Sequence, residues 1–175
     1  MPVKVPAHMH PLKYNGIFDF DSVYRAIHEW LNISGYFVQE PLHKRKVPTT
    51  AGAELDIYIT GWRKVDAYVR YWIYVYIKAY DLKEVEVVKE GKKKKLVKAR
   101  ILIEMSGDVE LDYNNYFEKT RFLRALRDLL NTIVLKHRID DVWWDELYYR
   151  MLKLHRIIKE KLDMEIKTNA YHDVW

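Results

Sequence analysis

The strongest constraint on the fold is the stretch Ala67–Tyr80, which alternates residue by residue between two chemistries. Its odd positions are Ala67, Val69, Tyr71, Ile73, Val75, Ile77 and Ala79, and its even positions are Tyr68, Arg70, Trp72, Tyr74, Tyr76, Lys78 and Tyr80. Successive side chains of a strand point to opposite faces, so the two sets must lie on opposite sides of a sheet. Helices should bury the aliphatic set, because drying it sacrifices no polar groups. The aromatic set is then left outward. Tyr, Trp and Arg together are the composition of interface hot spots, since rigid amphipathic rings bury area at little entropic cost. The competing explanation is that cross-strand ring pairs simply stabilise a half-covered sheet.

Around this strand the pattern predicts a single α+β domain. A short strand over Lys13–Phe18 leads into a helix with Asp19 as N-cap, its carboxylate accepting from the free amides of the first turn. Phe18 and Val23 form a hydrophobic staple, and Val23, Ala26, Ile27, Trp30 and Leu31 make the buried stripe. Gly35 ends the helix. Strands are then expected over Tyr36–Val47, with Pro41 confining it to an edge or bulge, and around Leu55, Ile57 and Ile59. Further strands are Ala67–Tyr80, Val85–Lys89, Leu96–Met105 and Val109–Tyr113. Glu90-Gly91 and Ser106-Gly107-Asp108 read as the turns between them.

Two long helices close the chain. Asn114 or Asn115 caps the first, with Phe122, Leu123, Leu126, Leu129, Leu130 and Ile133 on its stripe. After a break and recapping at Asp140-Asp141, Trp144, Leu147, Met151, Leu154, Ile158 and Leu162 form the second. The expected organisation is an extended arm over 1–12, one domain over 13–165, and a frayed tail over 166–175. The fold class is α+β, a curved antiparallel sheet of about six to seven strands, with one N-terminal helix and two long C-terminal helices packed on one face.

This order of strand, helix, a run of antiparallel strands and a long terminal helix resembles the helix-grip (START-like) fold. The resemblance covers most of the chain but rests on element order. It implies a sheet gripping the terminal helix, often around an apolar ligand cavity. Here that cavity would lie between Leu55, Ile57, Val69, Ile73, Ile101, Ile103 and the terminal helices. One helix after the first strand where the family has two, and a doubled terminal helix, depart from the pattern. Gly61-Trp62-Arg63-Lys64 and Gly107–Tyr113 are also similar to uncharacterised small archaeal proteins, a likeness that implies no activity.

Composition narrows the chemistry. Without cysteine there are no disulfides, thiolate nucleophiles or Cys-ligated zinc. Ser22, Ser34 and Ser106 sit in no Gly-x-Ser-x-Gly turn, and the glycines form no phosphate loop. His8-x-His10 on an arm, and His137 beside Asp140 and Asp141, are the nearest approaches to a metal or acid–base cluster. The first reads as a tail and the second as a helix end with its cap. His28 and His155 read as packing residues. No catalytic residue, metal or cofactor is therefore expected. No apolar run of about 20 residues is present to span a membrane, and no signal-peptide core opens the chain, so a cytoplasmic location is expected. Plentiful Lys, Arg and Glu lean toward a thermophile.

The net charge of +5 is local. Eight basic and three acidic residues lie between Lys83 and Arg100, and the remainder cancels. Lys92, Lys93, Lys94 and Lys95 stand at a hairpin tip, where they could meet RNA or an acidic surface, or simply guard a sheet edge. On the aromatic side Glu54, Asp56, Glu104, Glu110 and Asp112 are expected beside Arg70, Lys78, Lys98 and Arg100. That balance disfavours a polyphosphate ligand. The sequence therefore points first to a non-enzymatic module that docks a protein partner or its own copy through Tyr68, Arg70, Trp72, Tyr74, Tyr76 and Tyr80. A carrier of an apolar small molecule, and RNA or ribosome binding through the lysine hairpin, are the alternatives.

Overall fold

The computed structural model describes residues 3–49, 52–89 and 92–164. The fold is α+β. Six antiparallel strands form an open sheet in the order β1-β6-β5-β4-β3, with β2 also paired to β6. The expected tail over 166–175 lies outside the described residues.

The N-terminal arm is part of the sheet. Strands β1 (Val3–His8) and β2 (Leu12–Phe18) run in line along one edge of β6. Between them, over Met9–Pro11, the register against β6 slips by one residue, from His8↔Ser106 to Leu12↔Ile103. Helix α1 (Phe20–Ile33) follows as its sequence dictates. Asp19 accepts the Ser22 amide at 2.9 Å, Val23, Ala26, Ile27 and Leu31 are buried, and Gly35 takes φ +77° past the end.

Strand β3 (Phe37–Thr49) is the other edge, and its register breaks between Gln39 and Leu42, around Pro41. Strand β4 (Gly52–Lys64) leads to the two longest strands, β5 (Val69–Lys89) and β6 (Lys92–Leu111). Each is one continuous strand where the sequence pattern predicts two. In β5 the chain passes Asp81, at φ +56°, as a bulge between Tyr80 and Lys83, and continues. In β6, Ser106-Gly107-Asp108 is no turn: these residues pair in register with Tyr74, Ile73 and Trp72. Glycine is needed at 107 for clearance. A Cβ there would stand 2.7 Å from the Trp72 carbonyl oxygen and 2.9 Å from Met151 Sδ.

Those contacts place the last helix. In α4 (Asp145–Lys161), Leu147, Met151, Leu154 and Ile158 are fully buried and share one core with Ile57, Val69, Ile73, Ile101 and Ile103. The aliphatic side of the sheet is therefore covered by α1 and α4, as its chemistry requires. Among the described residues, no helix is long and apolar enough to cross a membrane.

The first C-terminal helix departs from expectation. Asn115, at φ +57°, precedes a short 3-10 turn (Tyr116–Glu118), and Thr120 caps α2 (Arg121–Leu129) through the Leu123 amide. Phe122, Leu129, Ile133 and Val134 are exposed, while Arg127 is buried and paired with Glu118 and Asp128. Polar anchors fix this inverted orientation: Arg127 on one side, and the Tyr68 hydroxyl donating to Asn131 at 2.7 Å on the other. A π-helical turn (Leu130–Val134), the one-turn α3 (Lys136–Arg138) and a second π-helical turn (Ile139–Trp144) lead into α4. Asp140 and Asp141 lie inside that second turn, and α4 continues from it with Trp144 at its N-cap position and no side-chain cap there; Asp141 pairs with the exposed His137.

Candidate functional site

The sheet face away from the helices carries the aromatic residues, as the alternation of β5 requires. Register brings the even residues of β5 beside Tyr58 and Trp62 of β4 and Phe37 of β3. The rings form one connected band: Phe37–Trp62 at 5.3 Å, Trp62–Trp72 at 6.4 Å, Trp72–Tyr74 at 6.0 Å, Tyr74–Tyr58 at 6.3 Å and Tyr58–Tyr76 at 6.5 Å. Trp72 on Tyr74 and Tyr58 on Tyr74 are near-parallel, at 11° and 8°. Pairs of this kind stabilise the sheet beyond the area they bury.

Polar partners tie the band down. The Trp72 indole N–H and Arg70 Nε both donate to Glu110, at 2.5 and 2.7 Å. Burial pushes the Glu110 carboxyl up, but these two hydrogen bonds and the Arg70 charge outweigh it and hold the group below its ordinary value. Asp108 accepts from the Tyr74 hydroxyl at 3.0 Å and from Lys4 at 3.3 Å. Burial, with the Asp108 charge, pushes the Tyr74 hydroxyl well above its ordinary range. Lys4 stands over the Trp72 and Tyr74 rings, Arg70 over Trp62, Trp72 and Tyr113, and Arg100 with Lys78 over Tyr80.

Of the residues singled out from sequence, Arg70, Trp72, Tyr74, Tyr76 and Tyr80 thus share one face. Tyr68 leaves the row: its ring meets Phe117 edge-on and its hydroxyl goes to Asn131. Asp112 is also no member. It lies past the end of β6, fully buried, and accepts the amides of Tyr116 and Phe117. Asp108, hidden by the mistaken turn, takes its place among the acids. Of the lysine run, Lys95 is exposed, and the side chains of Lys92, Lys93 and Lys94 lie outside the described residues.

Two features escaped sequence reasoning. One is a cleft of about 500 Å³ on the outer face, walled by His8, Met9 and Pro11 on one edge and Leu42 on the other, with Tyr58, Tyr74, Tyr76, Glu104 and Ser106 in its floor. Its walls are the two register slips at opposite sheet edges, which periodicity alone does not locate. The other is a polar cluster on the inner side. Glu40, in the β3 bulge, accepts from the Tyr24 hydroxyl at 2.6 Å, stands 2.5 Å from His43 Nδ1, and lies 3.4 Å from His28 Nε2. Burial raises the Tyr24 hydroxyl to about 12, with the Glu40 hydrogen bond adding to it. Tyr24 and His43 border a second pocket, of about 450 Å³, between the start of α1 and the β5–β6 hairpin, where Leu55, Leu82, Leu96 and Val97 supply the apolar lining. No group of three or more His, Asp or Glu side chains among the described residues is arranged to hold a metal ion.

No family model and no curated protein sequence matches this chain.

Proposed function

We propose that this chain is a non-enzymatic interaction module that docks a segment of a protein partner on the outer aromatic face of its sheet. The cleft carries the reading. It crosses the sheet from the β1–β2 edge to Leu42 on β3, and a strand spacing of about 4.8 Å makes such a crossing roughly 19 Å, the reach of a short peptide segment. Three tyrosines dominate its floor, Met9, Pro11 and Leu42 supply apolar wall surface, and the rings are held by internal contacts, so little ordering entropy remains to be lost on docking. Four cations of this face are paired with carboxylates: Lys4 with Asp108, Arg70 with Glu110, Arg100 with Asp81 and Lys46 with Glu54. With Asp56 and Glu104 beside the remaining Lys78 and Lys98, the face keeps a mixed charge that disfavours a nucleic-acid backbone.

The test uses Leu42→Glu and Tyr76→Glu. Leu42 is 40% exposed, so Leu42→Glu should melt close to the wild type, whereas Tyr76→Glu gives up the Tyr58 ring contact and faces Glu104, so it should melt lower and is compared at a temperature where it is folded. A partner retained by immobilised wild-type chain should be lost by both and kept by Tyr149→Glu, whose ring is exposed on α4. Sedimentation of the same variants shows whether the partner is a second copy. Equal retention by all three would overturn the reading.

The inner pocket favours a second reading, carriage of a small apolar molecule. Its volume of about 450 Å³ lies within the ordinary range for ligand sites. The deeper residues of the expected cavity, Ile57, Val69, Ile73 and Ile103, are packed into the core, so any ligand would sit at the mouth. Binding of anilinonaphthalene sulfonate that disappears in Leu96→Arg would support this reading; binding unaffected by the substitution would remove it.

A further inference from the structure

The outer face repeats one arrangement three times. Lys4 sits over the Trp72 and Tyr74 rings with Asp108 as its carboxylate partner. Arg70 lies over Trp62 and Trp72 with Glu110 as partner. Arg100 lies over Tyr80 with Asp81 as partner. Each is a cation held between the negative face of a ring and a carboxylate, a combination in which the two attractions add.

A fourth set has the rings and the carboxylate without the cation. Leu42, Tyr58, Tyr76 and Glu104 are direct cross-strand neighbours, forming one row from β3 to β6. Neighbours in such a row have Cβ atoms roughly 5 Å apart, which brings the Glu104 carboxylate beside the Tyr76 ring. Among the described residues no Lys or Arg stands over Tyr58 or Tyr76, and Glu104 is exposed with no ion pair. This row is the floor of the 500 Å³ cleft.

We propose that the Tyr58–Tyr76–Glu104 row seats a cationic side chain, an arginine or lysine, of the docked protein segment. The inference rests on the docking reading above and names its partner's chemistry: a basic segment that spans the cleft between Leu42 and Met9 while one of its charged side chains meets the tyrosine faces and Glu104. The chain's net charge of +5 opposes nonspecific attraction of a basic peptide, so any affinity must come from a local site.

The experiment titrates the full chain with a capped five-residue peptide carrying arginine at its second and fourth positions, followed by amide NMR. The comparison probes are the same peptide with citrulline in both places, and free spermidine. Shifts should centre on Tyr58, Tyr76 and Glu104, and the arginine peptide should bind at least fivefold more tightly than the citrulline peptide. Glu104→Gln should weaken it by roughly fivefold, a scale expected for one exposed charge and cation–ring contact. Glu86→Gln, the same charge change at another exposed position, should leave binding unchanged. Equal binding of the arginine and citrulline peptides, or indifference to Glu104→Gln, would overturn the cationic occupant. So would spermidine binding as tightly as the peptide, since it would make the ligand a small amine. If the cationic occupant fails while Leu42→Glu and Tyr76→Glu still release the partner, docking stands and only its chemistry is wrong; if both fail, the docking reading falls too.

Discussion

Replacing Trp72 with phenylalanine keeps a ring in the aromatic band but removes the indole N–H that Glu110 accepts. Glu110 is only 4% exposed, and its two protein donors are that N–H and Arg70 Nε. Leaving a buried acceptor one donor short costs about 1–3 kcal/mol. The smaller half-buried ring adds less than about 1 kcal/mol. The expected loss is about 2 kcal/mol, which for a domain of this size lowers Tm by about 4–8 °C. The effect must also depend on pH. Glu110 has a folded pKa below its unfolded value, so its stabilisation is complete above about pH 4.5 and is lost as pH falls through the folded pKa. Weakening the hydrogen bond raises that folded pKa, so wild type and variant should differ most near neutrality and converge as pH falls through the folded pKa of the wild type. Thermal melts of both proteins from pH 3 to pH 7 provide the assay. A variant melting within 1 °C or so of wild type, or a difference that ignores pH, would refute the assignment of the indole to Glu110.

Gly107→Ala should cost about 1–3 kcal/mol by calorimetry, because its Cβ meets backbone on one side and Met151 on the other; an unchanged Tm would mean that α4 does not press on β6 there. Replacing Lys92, Lys93, Lys94 and Lys95 with serine should shift Tm very little, and any salt-sensitive RNA binding by the wild type should vanish with it; RNA binding that survives the substitution would remove the hairpin from consideration. Acid should destabilise the fold in two stages, read by melts across pH. Burial and then Lys159 depress the His155 pKa below 6.5, so its contribution is present above that value and lost as pH falls through the folded pKa. The second stage, below about pH 4.5, belongs to carboxylates such as Glu40, where burial raises the pKa but hydrogen bonds from Tyr24 and His43 lower it further.

Local signals in the sequence located what local chemistry decides. Asp19, the Phe18–Val23 staple and Gly35 bounded α1 because caps and stripes act within a turn or two of the chain. Pro41 marked the β3 bulge for the same reason, and the parity of β5 separated core from outer face. Gly107 misled, since glycine in a turn and glycine beneath a helix are identical in one dimension. The α2 stripe misled because Arg127 turns inward to Glu118 and Asp128, and Asn131 is held by Tyr68 of a distant strand, pairings that hydropathy alone does not register. The Tyr24–Glu40–His43 cluster joins a helix to a bulge, and the cleft joins two opposite edges of the sheet. Both exist only once register is fixed.

The central claim, that the outer face and not another exposed apolar surface receives the partner, can be tested by site-specific photocrosslinking. The photoreactive phenylalanine derivative benzoylphenylalanine is placed at Leu42, on the wall of the cleft, and separately at Ile133, on the exposed stripe that continues from α2. The account predicts one adduct of defined mass from position 42, suppressed by Glu104→Gln, and none from position 133. An adduct from position 133 alone would place the docking surface on the C-terminal helices and contradict it.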